Sequence, residues 1–279
     1  SKQGTEDDNE SGGSLLACKV IWKDLANPLF VKKFLPRELD LVTRIRSQHC
    51  IQIHRVIETE NKCFVFMRYA ERGDLYDYLS AHGRLREEHA KFWVRQLALG
   101  VKYLQSMNVA HRDIKCENIL VTEKLNVKLA DFGFCRCWKE PVGKGEGYKE
   151  VLSSTYCGSL HYAAPEILAG TPYRLMYVDL WSLGVVLFVM LNGKFPFTGT
   201  ALDEVRTKQL EKGFEFRPVV SKRLSKEAAK TVGSLLEPDV TRRATVNSLL
   251  NSAWMRHDPR LLKILPDEEV DLGAEETEE

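Results

Sequence analysis

His111-Arg112-Asp113-Ile114-Lys115-Cys116-Glu117-Asn118 is the stretch on which the reading of this 279-residue chain turns. It holds an acid, a lysine two residues on and an amide five residues on. Those residue types at those offsets suit a phosphate–metal centre. Asp113 would accept or orient a hydroxyl proton, Lys115 would neutralise phosphate charge, and the side-chain oxygen of Asn118 would ligate Mg2+. The same residues also suit a plain polar loop between a helix and a strand, so the octapeptide alone leaves both readings open. Eighteen residues beyond Asp113 stands Asp131-Phe132-Gly133, after a strand-like run over 127–130. A carboxylate at a strand end beside a glycine is a good second Mg2+ ligand. The tripeptide by itself is common; at this distance from the first motif the pair is specific.

Working outward, the chain divides by texture. Residues 1–13 read as a polar acidic loop or tail. Strands are expected at 14–22, 51–58 and 62–69, with helical sequence over 28–46 and Pro36 where one short helix gives way to the next. Beyond Gly73 the pattern turns helical. Residues 88–107 carry Ala90, Trp93, Val94, Leu97, Val101 and Leu104 on one stripe. Short strands at 118–122 and 126–130 follow, then a long exposed loop over 134–157. Further helices are expected at 174–192, 200–213, 224–236 and 244–251. The expected organisation is α+β: a small strand-rich lobe over 14–72, a larger helical lobe over 73–256, and an acidic tail over 257–279. Ligands favour such lobe junctions.

Net charge is +1, but the distribution is uneven. Residues 1–13 sum to −3 and residues 267–279, with eight acids and no base, to −8; residues 14–266 carry +12. A neutral total speaks against a generic nucleic-acid binder. The seven cysteines are odd in number and scattered, which suits a reducing, cytoplasmic setting rather than a disulfide framework. Cys135 and Cys137 lack partners at zinc-binding spacing. The apolar run 183–191 is short for a bilayer crossing.

The two motifs resemble those of eukaryotic protein kinases. Further residues fit that family in the right chain order. Ala17-Cys18-Lys19 is similar to the strand lysine that holds ATP phosphates, and Glu38 to the helix acid that pairs with it. Ala164-Pro165-Glu166 closes the loop opened by Asp131. Asp179, on an apolar helix, matches the acid that braces the catalytic loop, and Arg243 the arginine that pairs with Glu166. Each has an ordinary alternative alone, such as a surface ion pair or a helix N-cap. The resemblance implies a bilobal kinase fold using ATP and Mg2+, with Asn118 and Asp131 on the metal. It implies Tyr69 and Ala70 on the adenine-binding hinge after Met67, Ala17 and Leu120 against the ring, and Asp74 at the ribose.

Lys115 and the segment Thr155-Tyr156-Cys157-Gly158-Ser159 mark the serine/threonine type. Thr155 aligns with an activation-loop phosphosite whose phosphate would pair with Arg112; Ser153 and Ser154 are close competitors, and an unmodified threonine is the plain alternative. Ser159 is expected against Asp113. Asp74 and Glu117 imply substrates basic at the third residue before the target. Lys33-Phe34-Leu35-Pro36-Arg37-Glu38, with the motifs above, is similar to the testis-specific serine kinases of the calcium/calmodulin-kinase-like branch, which implies a role in spermatogenesis and a monomeric enzyme. The family's Gly-rich loop should lie about twenty residues before Lys19, and no G-x-G-x-x-G occurs there. Its first two strands are expected to be missing, with truncation as the expected reason. A pseudokinase scaffold is the alternative.

Overall fold

The computed structural model describes residues 15–28, 31–32, 35–142, 147–156, 158–258 and 261. The polar stretch 1–13, Lys33, Phe34, Cys157, the loop glycines Gly143 and Gly145, and the acidic residues 267–279 lie outside that set.

The first unit is built from strand β1 (Leu16–Trp22), helix α1 (Leu35–Val42) and strands β2 (Ile53–Glu58) and β3 (Lys62–Arg68). The strands form one antiparallel sheet in the order β1-β3-β2. In β1, Leu16, Cys18, Val20 and Trp22 are exposed while Ala17, Lys19 and Ile21 are half-buried, the alternation a pleated strand requires. Ile21 packs with Leu39 against buried Leu35, Cys63 and Val65. Lys19 shares the face of Ile21 and so points toward α1. On α1, Leu35, Glu38, Leu39 and Val42 fall at i, i+3, i+4 and i+7, one helical face. That periodicity carries Glu38 inward, to 7% exposure. Pro36 stands in the first turn of α1, where its missing N–H costs no intrahelical bond.

The second unit opens with α2 (Leu75–His82) and α3 (Glu87–Ser106), then β4 (Val109–Ala110), β5 (Ile119–Val121) and β6 (Val127–Leu129). Next come β7 (Arg136–Cys137), β8 (Lys139–Pro141), β9 (Tyr148–Glu150) and β10 (Leu152–Ser153). The remainder is α4 (Pro165–Leu168), β11 (Tyr173–Arg174), α5 (Leu175–Asn192), α6 (Leu202–Leu210), α7 (Pro218–Ser221), α8 (Lys226–Leu235), α9 (Val246–Leu250) and α10 (Ala253–Arg256). The α+β class and the division into a strand-rich part and a helical part follow directly. Long α5 is apolar on every side and is nearly all buried. By length and composition it is apolar enough to cross a bilayer, yet its side chains lie inside the fold. Gly184 lets α8 lie close against it, since a Cβ there would stand 2.7 Å from Leu235 Cβ.

One expectation is corrected. Residues 134–157 are not simply an exposed loop: β7 pairs with β4, β8 with β9 and β10 with β11. Opposite charges face each other across the β8–β9 ladder, Lys139 against Glu150 and Glu140 against Lys149, which favours the pairing. Trp138 anchors the base. Its N–H donates to Asn108 O at 2.9 Å, its carbonyl accepts from Val151 N–H at 2.8 Å, and its ring packs on the main core. Periodicity missed this because each strand is only two or three residues long.

Candidate active site

The segment between β4 and β5 carries the octapeptide, and its backbone is held from below by α5. Asp179 is 1% exposed, and its two carboxylate oxygens accept the N–H groups of His111 and Arg112, each at 2.8 Å. Burial pushes the Asp179 carboxyl up, and the neighbouring His111 and these two donors oppose that. The bracing matters because Arg112 has φ +67, a left-handed conformation that costs a non-glycine residue about 1–3 kcal/mol unless its surroundings impose it. His111 is fully buried. Its Nε2–H donates to Ala130 O at 3.1 Å, its Nδ1 accepts from Asp113 N–H at 3.3 Å, and its ring lies 5.4 Å from that of Phe132. Burial lowers its pKa, which keeps the neutral tautomer that these two bonds require. The sequence reading quoted His111 only as part of a motif. Its signal was position: it contacts Asp113, Ala130 before Asp131, and Asp179 on α5.

Asp113 is buried. Asn118 Nδ2 donates to its Oδ2 at 2.8 Å and to its backbone carbonyl at 2.9 Å, and Lys115 Nζ lies 3.2 Å from Oδ2. Since Asn118 directs its amide nitrogen to Asp113, its side-chain oxygen is presented elsewhere. Lys115 also reaches Ser159 Oγ at 3.4 Å, so the described contact of Ser159 is with Lys115 rather than with Asp113. Gly158 of that segment lies close to Asp113: with φ +87, a Cβ there would stand 3.0 Å from Arg112 O and 3.4 Å from Asp113 Oδ1. Sequence reading passed over this glycine.

Asp131 follows β6, with φ +58, and Phe132 beside it is buried in the main core. Lys19 Nζ lies 2.8 Å from Asp131 Oδ1 and 3.4 Å from Glu38 Oε1. Burial pushes Asp131 up, but the hydrogen bond and charge of Lys19, with the Gly133 N–H, together outweigh it and hold the carboxyl below its ordinary range. For Glu38 burial wins over Lys19 and the carboxyl is raised. Lys19 itself is raised: burial works against the ammonium, and the two acids outweigh it. The fold thus brings together Lys19, Glu38 and Asp131 from positions 112 residues apart.

The hinge candidates lie along one strip. Ala17 is opposite Met67 in the β1–β3 register. Tyr69 is exposed and Ala70 buried just past β3. Asp74 caps α2 through Asp77 N–H at 2.9 Å and forms an isolated bridge with Leu120 of β5. Glu117 is exposed beside them.

Arg112 donates from Nε to Phe134 O at 2.6 Å, and its buried Nη1 has no partner among the described residues. Thr155 is exposed; its N–H donates to Ser153 Oγ at 3.3 Å and its carbonyl accepts from Tyr173 OH at 2.8 Å. Ser153 is 1% exposed and bonded by Arg136, which disfavours it beside Thr155 as a modification site. Glu166 on α4 and Arg243 form a bidentate pair at 2.6 and 2.8 Å, and Arg243 Nε donates to Glu237 O.

For a metal, Asp131 and the Asn118 oxygen form a hard oxygen donor set that suits Mg2+. No group of three or more His, Cys, Asp or Glu able to hold a metal is present among the described residues. Any Mg2+ here would need further oxygens from a phosphate or water.

Known proteins resemble this chain over most of its length. The protein kinase domain family matches residues 6–255. The mouse testis-specific serine/threonine-protein kinase 2 is 36% identical over 86% of this chain and 66% of its own length. The human testis-specific serine/threonine-protein kinase 4 is 34% identical over 90% of this chain and 80% of its own. The human NUAK family SNF1-like kinase 2 is 37% identical over 88% of this chain and 37% of its own. The chain spans about two thirds of the length of the mouse kinase 2. Over nearly all of its described length, this chain belongs to the protein kinase domain family.

Proposed function

We propose that this chain transfers the ATP γ-phosphoryl group to serine or threonine hydroxyls of protein substrates. The observation that carries the proposal is the convergence of Asp113, Lys115 and Asn118 in one hydrogen-bonded cluster, with the Lys19–Asp131 bond at 2.8 Å completing the phosphate side. Asp113 orients the attacking hydroxyl and takes up its proton. Lys115, held between Asp113 and Ser159, offsets charge that develops on the transferred group. Lys19 holds the α/β-phosphates and Glu38 holds Lys19. Tyr69 and Ala70 bind adenine through the backbone, Ala17 and Leu120 enclose it, and Asp74 takes the ribose. Asp131 and Asn118 would hold Mg2+, which would supply neutralising charge to the phosphates.

Finer points belong to the same proposal. Asp74 and Glu117 favour basic substrates, and phosphorylated Thr155 gives the orphaned Arg112 Nη1 its partner. The names of the testis-specific relatives support a role in spermatogenesis. Free cysteines among the described residues fit a cytoplasmic location, and the enzyme works as a monomer.

A second reading is a scaffold with little turnover. Two measurements separate them. Asp113→Asn should lower phosphoryl transfer to a basic Ser/Thr peptide by about 10²–10⁴-fold with a nearly unchanged melting temperature; retained turnover sinks the catalytic assignment. Mg-ATP should raise the melting temperature of the unmodified chain, and no shift would favour the scaffold.

A further inference from the structure

Away from the active site, a cleft of about 200 Å³ opens where the start of α3 meets the end of α5 and the α7–α8 connection. Its floor is apolar, formed by Leu85, Leu191 and Leu224, and three arginines, Arg84, Arg86 and Arg223, line it. Two acids share the rim, Glu87 and Glu88. Glu87 is already engaged: it accepts from Ser225 N–H at 2.8 Å, Ser225 Oγ–H at 2.6 Å and Trp254 Nε1–H at 2.8 Å. The last bond ties α10, the final helix described, to the edge of this cleft.

Seven residues beyond Trp254, Leu261 is 4% exposed in the main core, its N–H bonded to Asp258 O at 3.1 Å. The chain continues for eighteen residues outside the described set. Six steps past Leu261 begins Asp267-Glu268-Glu269-Val270-Asp271-Leu272, the start of the segment with eight acids and no base. Six extended residues reach about 20 Å. The segment combines carboxylates with two apolar side chains one residue apart, and the cleft combines arginines with an apolar floor.

We infer that residues 267–272 dock in this cleft in cis, with Val270 and Leu272 on the leucine floor and the surrounding carboxylates against Arg84, Arg86 and Arg223. The charge match, and the Trp254–Glu87 bond that brings the C-terminal end of the chain to the cleft edge, favour this occupant over a partner protein. Carboxylate–guanidinium contacts on a rim are weakened by salt, whereas the apolar contacts are not, so the docked state is salt-sensitive.

Hydrogen–deuterium exchange on the full chain tests it. Peptides covering 84–88 and 220–224 should be protected at about 50 mM NaCl and lose most of that protection at about 500 mM. A full-length variant with the eight tail acids changed to Asn or Gln should exchange as the high-salt sample does. A synthetic peptide of residues 267–279, added to that variant, should restore protection, and Arg84→Glu should abolish the restoration. Identical exchange in the two chains overturns the inference, as does a peptide effect unaltered by salt and by Arg84→Glu. Protection that disappears on dilution assigns the cleft to the tail of a second copy and overturns docking in cis.

Discussion

Lys19 Nζ is shared between two acids and stands closer to Asp131 Oδ1, at 2.8 Å, than to Glu38 Oε1, at 3.4 Å. The strand lysine therefore bridges the two units of the fold, with β1 and α1 on one side and the segment after β6 on the other. If phosphates bind between Lys19 and Asp131, each partner already has its orientation, and the ammonium exchanges one carboxylate contact for phosphate oxygens. Lys19→Met removes a hydrogen bond to a charged group, worth about 1.5–3 kcal/mol. The expected outcome is a fall in kcat/KM of about 10–150-fold, visible in steady-state kinetics with varied ATP. An unchanged KM for ATP together with unchanged kcat would remove Lys19 from the phosphate site.

Glu38 and Asp131 share one lysine yet shift in opposite directions. Burial raises Glu38 above its ordinary 4.5, whereas burial of Asp131 is outweighed by the hydrogen bond and charge of Lys19 together with the Gly133 N–H, which hold it below 3.8. A raised carboxyl binds its proton more tightly in the folded state. Its contribution to stability is thus present below 4.5 and lost as pH rises through the raised folded value. Relative to Glu38→Gln, the unmodified chain should lose stability across that window. Asp131 works the other way, losing its contribution as pH falls below 3.8. Urea unfolding of the unmodified chain and Glu38→Gln between pH 4 and 7 checks this; parallel stability curves would contradict it.

Glu166 and Arg243 are 77 positions apart and joined by two short bonds, with the arginine side chain fully buried and 5.1 Å from the Trp181 ring. Arg243→Ala leaves a largely buried carboxylate without its counter-charge, at a cost of about 3–5 kcal/mol. For a chain of this size that is a drop of about 2–4 °C in Tm per kcal/mol, measurable by calorimetry. Arg243→Lys keeps the charge but not the fork, so it should fall between the two. A melting temperature unmoved by Arg243→Ala would show that the pair bears little of the stability.

Gly158 has no room and no conformational latitude for a side chain. Its φ of +87 and the 3.0 Å from a built Cβ to Arg112 O put Gly158→Ala at about 1–3 kcal/mol of backbone strain. Because Asp113 lies next to it, the same variant should also lower kcat more than it raises KM. Gly83→Ala is the control, since its φ is +77 with nothing within 4 Å of its Cβ. It should lose comparable stability and keep its kcat. Equal kinetic effects from both variants would detach Gly158 from the site.

Much of the fold was legible because periodicity records burial. The stripe through α3 and the alternation in β1 follow from which face meets the core, and both appear within two residues of the expected bounds. The β7–β10 segment was not legible: strands of two and three residues have no period to read, and their pairing depends on Trp138 finding Asn108 and Val151. In the site, residue types at fixed spacing marked Asp113, Asn118 and Asp131, since their chemistry is local to two loops. His111 and Gly158 escaped notice because their importance is relational. One is buried between three segments, and the other is small because of what lies beside it.

Sequence by itself determined which groups this protein possesses, in what order, and which helix and strand faces turn inward. Those properties arise from neighbours three or four residues away. Only the tertiary structure decided that Lys19 leans toward Asp131, that Ser159 meets Lys115, and that three arginines gather around a leucine floor far from the active site. Those are distances between segments that the chain separates widely, and they are set by how α3, α5 and the small sheet pack, not by any local preference.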